Sequence, residues 1–166
     1  MMTELNQIGE MLDVMGNVAD GTLQYLTFEL NNEHYGVEIL RVQEIKGWDP
    51  VTPIPNTPPH LCGVLNLRGA IVPIVDLRLF FDMPFCAYSN TTVVVVLKVH
   101  DLSQRTVGIV VDAVSDARNI RPEEIKNTPD FGQVASTEFI TGIVSIDNNM
   151  TMLLDIDILL SREQIG

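Results

Sequence analysis

Along most of the chain, apolar residues alternate with polar ones or cluster in short β-branched runs, and each run stops at Gly, Asn, Asp or Pro. That pattern predicts short strands joined by turns. Leu26-Thr27-Phe28-Glu29-Leu30, a turn at Asn31-Asn32-Glu33-His34, and Tyr35-Gly36-Val37-Glu38-Ile39 form a first hairpin. Thr92 to Val99, a turn at Asp101 to Gln104, and Val107 to Val111 form its counterpart. The steps from Ile39 to Val42 and from Val111 to Val114 break the two-residue period at matching places, which predicts a bulge or bend at each. Helix is expected in only two places. Leu5, Ile8, Leu12 and Met15 fall at helical spacing, but Gly9 and Gly16 weaken that segment, so 1–21 reads as a tail, helical or disordered. Pro122 before Glu123-Glu124-Ile125 suits one short helical turn.

The strand pattern repeats. Gly63-Val64-Leu65-Asn66-Leu67, running on to Val75-Asp76-Leu77, matches Gly142-Ile143-Val144-Ser145-Ile146, running on to Leu154-Asp155-Ile156. Both anchors give one offset, since 142 − 63 = 79 and 155 − 76 = 79. Gly36-Val37-Glu38-Ile39 and Gly108-Ile109-Val110-Val111 match at an offset of 108 − 36 = 72. Four or five short strands are unstable as an open sheet with bare edges, so each copy is expected to close on itself. The expectation is an all-β protein of two tandem SH3-like five-stranded β-barrels with little helix; one larger β-sandwich is the alternative. The first barrel subdomain spans 22–90 and the second 91–166, within one domain of 22–162 whose barrels can exchange strands. Gly36, Gly63, Gly69, Gly108 and Gly142 are read as structural turn positions.

With 166 residues the chain is long enough to bury a proper core. A formal net charge of −12 disfavours nucleic acid and anionic lipid, which directs attention to protein partners. No apolar run approaches bilayer length and the start, Met1-Met2-Thr3-Glu4, is no signal peptide, so a cytoplasmic location without membrane insertion is expected. Cys62 and Cys86 form no C-x-x-C pair and read as packing residues.

The signatures of common enzymes are missing: no phosphate loop, no G-x-G-x-x-G, no H-E-x-x-H, no G-x-S-x-G. His34, His60 and His100 sit in turns or loops without a second ligand at metal spacing. Asp155 with Asp157, and Asp112 with Asp116, are the only carboxylate pairs worth weighing for acid–base work, and capping or solvation is the commoner use. The expectation is a protein that is not an enzyme and takes no cofactor or metal. The prolines at 50, 53, 55, 58 and 59 read as a stiff loop. Arg68, one of ten basic residues, stands in the turn Asn66-Leu67-Arg68-Gly69 among Leu65, Leu67, Ala70 and Ile71. A solvated turn arginine is the plain reading, and an interface anchor on an apolar rim the sharper one. By residue type Val42 reads as core, and Phe131 either tucks under its loop or serves a partner.

Three runs bear a family resemblance: Tyr35-Gly36-Val37-Glu38-Ile39-Leu40-Arg41-Val42-Gln43-Glu44-Ile45, Ile54-Pro55-Asn56-Thr57-Pro58, and Gly63 to Arg78 with its N-L-R-G-x-x-x-P-I-x-D-L string. Together with Val107 to Asp116 and Ser136-Thr137-Glu138, they resemble the CheW family of chemotaxis coupling proteins over about Leu23 to Leu160. The resemblance implies tandem SH3-like barrels that bind the cytoplasmic hairpin tip of methyl-accepting chemoreceptors and the regulatory domain of the histidine kinase CheA. It implies receptor contacts at Val42, Glu44 and Arg68, with Asn66 and Leu65 beside them. It implies kinase contacts in the loop from Lys126 to Phe131, where lysine stands at a position expected to be arginine. Recruitment from the cytoplasm to inner-membrane receptor arrays follows from the same resemblance. The rival within binding proteins is a coupling domain of a CheV- or CheA-type assembly.

Overall fold

The computed structural model describes residues 21–84, 87–100, 105–128 and 138–161. The first half supplies β1 (Leu23–Leu30), β2 (Glu33–Glu38), a 3-10 turn at Ile39–Arg41, β3 (Val42–Gly47), β4 (Leu61–Leu67), β5 (Ala70–Asp76) and a short helix, Leu77–Phe80. The second half supplies β6 (Val93–Val99), β7 (Arg105–Val111), β8 (Ala113–Ile120), a 3-10 turn at Pro122–Glu124, β9 (Ile140–Ile146), β10 (Asn149–Leu154) and a second short helix, Ile156–Leu159. The strands form two five-stranded sheets, as the alternation predicts. The turn at Pro122 stands where proline and the following acids place it.

The sheets do not follow the two halves of the sequence. Their strand orders are β3-β6-β7-β5-β4 and β8-β1-β2-β10-β9, so each half lends its first hairpin to the other and the boundary at 90/91 separates no sheet from its neighbour. The exchange happens at the two predicted bends. The chain leaves β2 through Ile39–Arg41 to enter β3 in the other sheet, and it leaves β7 through Asp112 to enter β8.

Each sheet curls until its ends meet. Thr52, past the end of β3, exchanges both backbone hydrogen bonds with Val64 on β4, at 3.0 and 2.9 Å. Lys126, past the end of β8, does the same with Ile143 on β9, at 2.8 Å each way. These closures explain the first glycine anchor of the repeat. A Cβ on Gly63, whose φ is +151°, would stand 2.2 Å from the Thr52 carbonyl oxygen, and one on Gly142 would stand 2.4 Å from Ile125 Cγ2 and 3.0 Å from the Lys126 oxygen. Gly36 and Gly108 lie mid-strand, opposite Leu153 and Ile74 in the two parallel pairings. Of the five glycines expected at turns, Gly69 alone occupies one; the other four are strand residues where a neighbouring chain comes close.

The second anchor is also physical. Asp76 caps the helix at Leu77–Phe80 by accepting from the Arg78 amide at 3.0 Å, and Asp155 caps Ile156–Leu159 by accepting from the amides of Asp157 and Ile158 at 3.0 and 3.2 Å. Asp155 and Asp157 are therefore not neighbours on one strand face, as their spacing suggested, because the strand ends at Leu154.

Three apolar clusters fill the described part of the molecule. Val72, Ile74, Val94, Val96 and Val110 fill the curl of the first sheet, and Tyr25, Ile120, Val144 and Leu153 that of the second. The largest joins the two sheets: Leu26, Phe28, Leu30 and Tyr35 from one meet Val93, Val95, Leu97, Val107 and Ile109 from the other. β6 thus buries both faces, which is why its sequence, VVVVLKV, runs apolar without alternating. Each such side chain contributes roughly 1.5–3 kcal/mol by leaving water, so the shared cluster makes the two sheets one body.

Candidate partner-binding site

The tip of the β4–β5 hairpin is a two-residue turn. Leu67 pairs with Ala70 across it, and both central residues have positive φ, +54° at Arg68 and +90° at Gly69. Asn66 Oδ1 accepts from the Gly69 amide at 2.9 Å and braces the turn. Two other hairpins are built in the same way, with Asn31-Asn32 between Leu30 and Glu33 and Asp147-Asn148 between Ile146 and Asn149. Asn, Asp and Gly hold such positions at little cost. Arginine does not, and a side chain in this conformation costs about 1–2 kcal/mol. Arg68 therefore carries strain that its counterpart, Asp147, avoids.

Its guanidinium reaches across to β3, where Nη1 lies 3.3 Å from Glu44 Oε2. The Arg68 side chain is 81% exposed and that of Glu44 21%, so the pair adds little to stability and mainly holds the arginine in place. Glu44 reaches this position through a bulge. Val42 pairs with Leu97 and Glu44 with Val96, leaving Gln43 as the extra residue. In an unbroken strand Val42 and Glu44 would share a face; here Val42 packs against the cluster between the sheets, while Glu44 lies opposite Val96 of the first-sheet cluster. Leu65 and Leu67 pack on that same cluster, and Ile71, opposite Asn66, is 63% exposed.

The structure thus gathers Glu44, Leu65, Asn66 and Arg68 at one end of the first sheet. Val42 stands close in sequence but faces inward, half-buried. Lys126 is exposed on the second sheet, at its closure with Ile143. Phe131 lies outside the described residues, as do Cys86 and the tail up to residue 20.

Sequence reasoning missed a buried polar network at the far end of β5, away from the hairpin tip. Arg78 and Asp76 are 2% and 1% exposed in their side chains. Arg78 Nε and Nη2 donate to the two Asp76 oxygens at 3.1 Å each, and Nη1 donates to Asp112 at 3.0 Å. The Tyr88 hydroxyl donates to Asp76 at 3.1 Å, and the Tyr88 ring stacks on Trp48 with centroids 3.9 Å apart. Burial alone would lower the Arg78 pKa, and Asp76 and Asp112 more than reverse that, so the guanidinium stays charged. Asp112, Asp116, Asp155 and Asp157 all have structural partners: Arg78, Arg118, the helix amides and Arg41 respectively. Among the described residues no group of three His, Cys, Asp or Glu is placed to hold a metal ion.

Comparison with known proteins agrees with this architecture. A profile of the CheW-like domain matches residues 24–164. The chain belongs to the CheW-like family. It is 48% identical over 143 residues to a chemotaxis protein CheW of Klebsiella aerogenes, covering 86% of this chain and 84% of that protein. It is 32% identical over 154 residues to a chemotaxis protein CheW of Rhizobium meliloti, covering 93% and 97%. The crystal structure of the scaffolding protein TtCheW from Thermoanaerobacter tengcongensis superposes with a TM-score of 0.77 at 27% identity, covering 86% of this chain and 90% of that one. The CheW-like fold therefore spans nearly all of the described chain.

Proposed function

We propose that this chain, a chemotaxis coupling adaptor of the CheW-like family, joins the cytoplasmic hairpin tip of methyl-accepting chemoreceptors to the regulatory domain of the histidine kinase CheA. The receptor contact lies at Arg68, Glu44, Leu65 and Asn66, with the half-buried Val42 at its margin, and the kinase contact at Lys126 and Phe131. The observation that carries the receptor contact is the strained arginine. A residue that breaks a local rule without a structural return points to a role for its side chain, and Arg68 sits exposed near Ile71 with Glu44 aiming it. Arginine over an apolar rim is a common anchor for a protein partner. Its action is linkage rather than bond chemistry: a body that binds both partners at once shifts kinase states only by differential contact with them.

The adaptor works in the cytoplasm and reaches the inner membrane through receptor arrays. A net charge of −12 disfavours direct attachment to anionic lipid, and no described helix is long and apolar enough to cross a membrane.

Replacing Arg68 by Asn tests the receptor contact without disturbing the turn. Arg68→Asn should weaken binding to a receptor cytoplasmic fragment at least about tenfold, as loss of an interface anchor does, while the chain melts at the same temperature or higher. Unchanged receptor affinity would remove Arg68 from the site.

A further inference from the structure

The two sheets are tied at their crossovers by two ion pairs of opposite sense. In each, the residue two past a capping aspartate reaches the bend that carries the chain between sheets: Arg78, after Asp76, pairs with Asp112, and Asp157, after Asp155, pairs with Arg41. In the first pair Arg78 is 2% and Asp112 23% exposed, and in the second Arg41 and Asp157 are 19% and 30% exposed. With Arg78 sealed in and also held by Asp76, the first pair is too costly to open in normal working. The second, with both partners partly solvated, can be broken and remade.

Arg41 is the last residue before Val42, the start of the strand that carries Glu44. Its Nη1 and Nη2 donate to the two Asp157 oxygens at 2.9 and 2.7 Å, and Nη1 also approaches the Lys98 carbonyl at 3.3 Å. Asp157 Oδ1 accepts a second bond, from the His100 amide at 2.8 Å. The helix carrying Asp157 is joined in turn to the start of β9, because the Asp155 amide donates to the Phe139 carbonyl at 2.7 Å. Phe139 stacks on Phe81, with centroids 5.4 Å apart.

We propose that Arg41 is a positioning residue: its pair with Asp157 carries displacement of the receptor-facing strand into the second sheet, making receptor control of the kinase depend on a contact that touches neither partner. This rests on the function proposed above. It also differs from a stability role, because the shared apolar cluster holds the sheets together without the pair.

The test uses the full chain in three forms, Arg41→Ala, Asp157→Asn, and the reversed pair Arg41→Asp with Asp157→Arg. Asp157→Asn keeps an acceptor for the His100 amide while setting an amide donor against Arg41 Nη2, so it removes the charge and one bond of the pair without freeing the His100 amide. Affinities for a receptor cytoplasmic fragment and for the kinase regulatory domain are measured separately, and kinase autophosphorylation is measured with the receptor in reconstituted arrays. Each separate affinity should stay within about twofold, as for sites sharing no partner. Receptor-dependent activation should fall at least about fivefold in both single variants and recover by half or more in the reversed pair. Full activation in the single variants would overturn the proposal, and so would failure of the reversed pair to recover with both affinities intact. Loss of either separate affinity would make the pair merely structural and overturn it too. If the unaltered chain bound neither partner, the underlying function would fall, and this inference with it.

Discussion

Closure of the first sheet at Gly63 can be tested by adding one carbon atom. In Gly63→Ala the new Cβ meets backbone, at 2.2 Å from the Thr52 oxygen and 2.6 Å from its carbon, at a φ of +151°. The unfavourable backbone conformation costs about 1–3 kcal/mol. Moving Thr52 aside also breaks the two hydrogen bonds it exchanges with Val64, at about 1 kcal/mol each. Together the loss is roughly 3–5 kcal/mol. Gly69→Ala is the control, since it also has positive φ but no atom lies within 4 Å of its Cβ; it should cost about 1–2 kcal/mol. Gly142→Ala should fall between them, because its closest contact is the Ile125 side chain, which can give. Urea unfolding followed by Trp48 fluorescence reads all three. With a slope of about 2 kcal/mol per molar, the midpoint should drop by roughly 1.5–2.5 M for Gly63→Ala and by 1 M or less for Gly69→Ala. Equal shifts for the two variants would mean that no chain crosses at Gly63, and the closed sheet would be wrong.

Other consequences are as direct. Asp76→Ala leaves the Arg78 guanidinium buried without its main partner and should destabilise the fold by about 3–5 kcal/mol; a loss under about 1 kcal/mol in urea unfolding would contradict the burial described for that pair. All three tyrosines have pKa values pushed above the ordinary phenol value of 10.0, each chiefly by burial: Tyr25 with Glu38 adding to it, Tyr35 with its hydrogen bond to Glu33, and Tyr88 with Cys62 and Asp76 nearby. The folded state therefore keeps phenol protons that the unfolded chain releases, so this contribution to stability is present below pH 10 and is lost as pH rises beyond it. Absorbance titration of the folded chain should show less tyrosinate at pH 10 than three ordinary phenols give. A reversible signal at that pH as large as three ordinary phenols give, with folded far-ultraviolet dichroism, would contradict the burial of these rings.

Much of this fold is written in local pattern. The shared offset of Gly63 with Gly142 and of Asp76 with Asp155 marks two pieces of physics, a backbone crossing and a helix cap, and both are local enough to leave the same residue twice. The short helices after each cap were hidden because Leu77 and Ile156 continue an apolar run whose period is too brief to read. Sheet membership was hidden for a different reason. β6 and β7 bury both faces, so no alternation says which cluster each face meets, and the exchange of hairpins rests on long-range pairing. At the site, Arg68 was legible as an odd residue in a turn. Its contact with Glu44 was not, because it depends on a bulge at Gln43 that only the pairing with β6 reveals. Arg41 and Asp157 lie 116 residues apart and carry no local signal at all.

In the proposed coupling role, this chain holds both partners at the same time. Sedimentation velocity of the full chain with a receptor cytoplasmic fragment and the CheA regulatory domain tests it in a single experiment. A complex containing all three should form and sediment faster than either pair. Two separate pairs that deplete one another as the third component is added would contradict it.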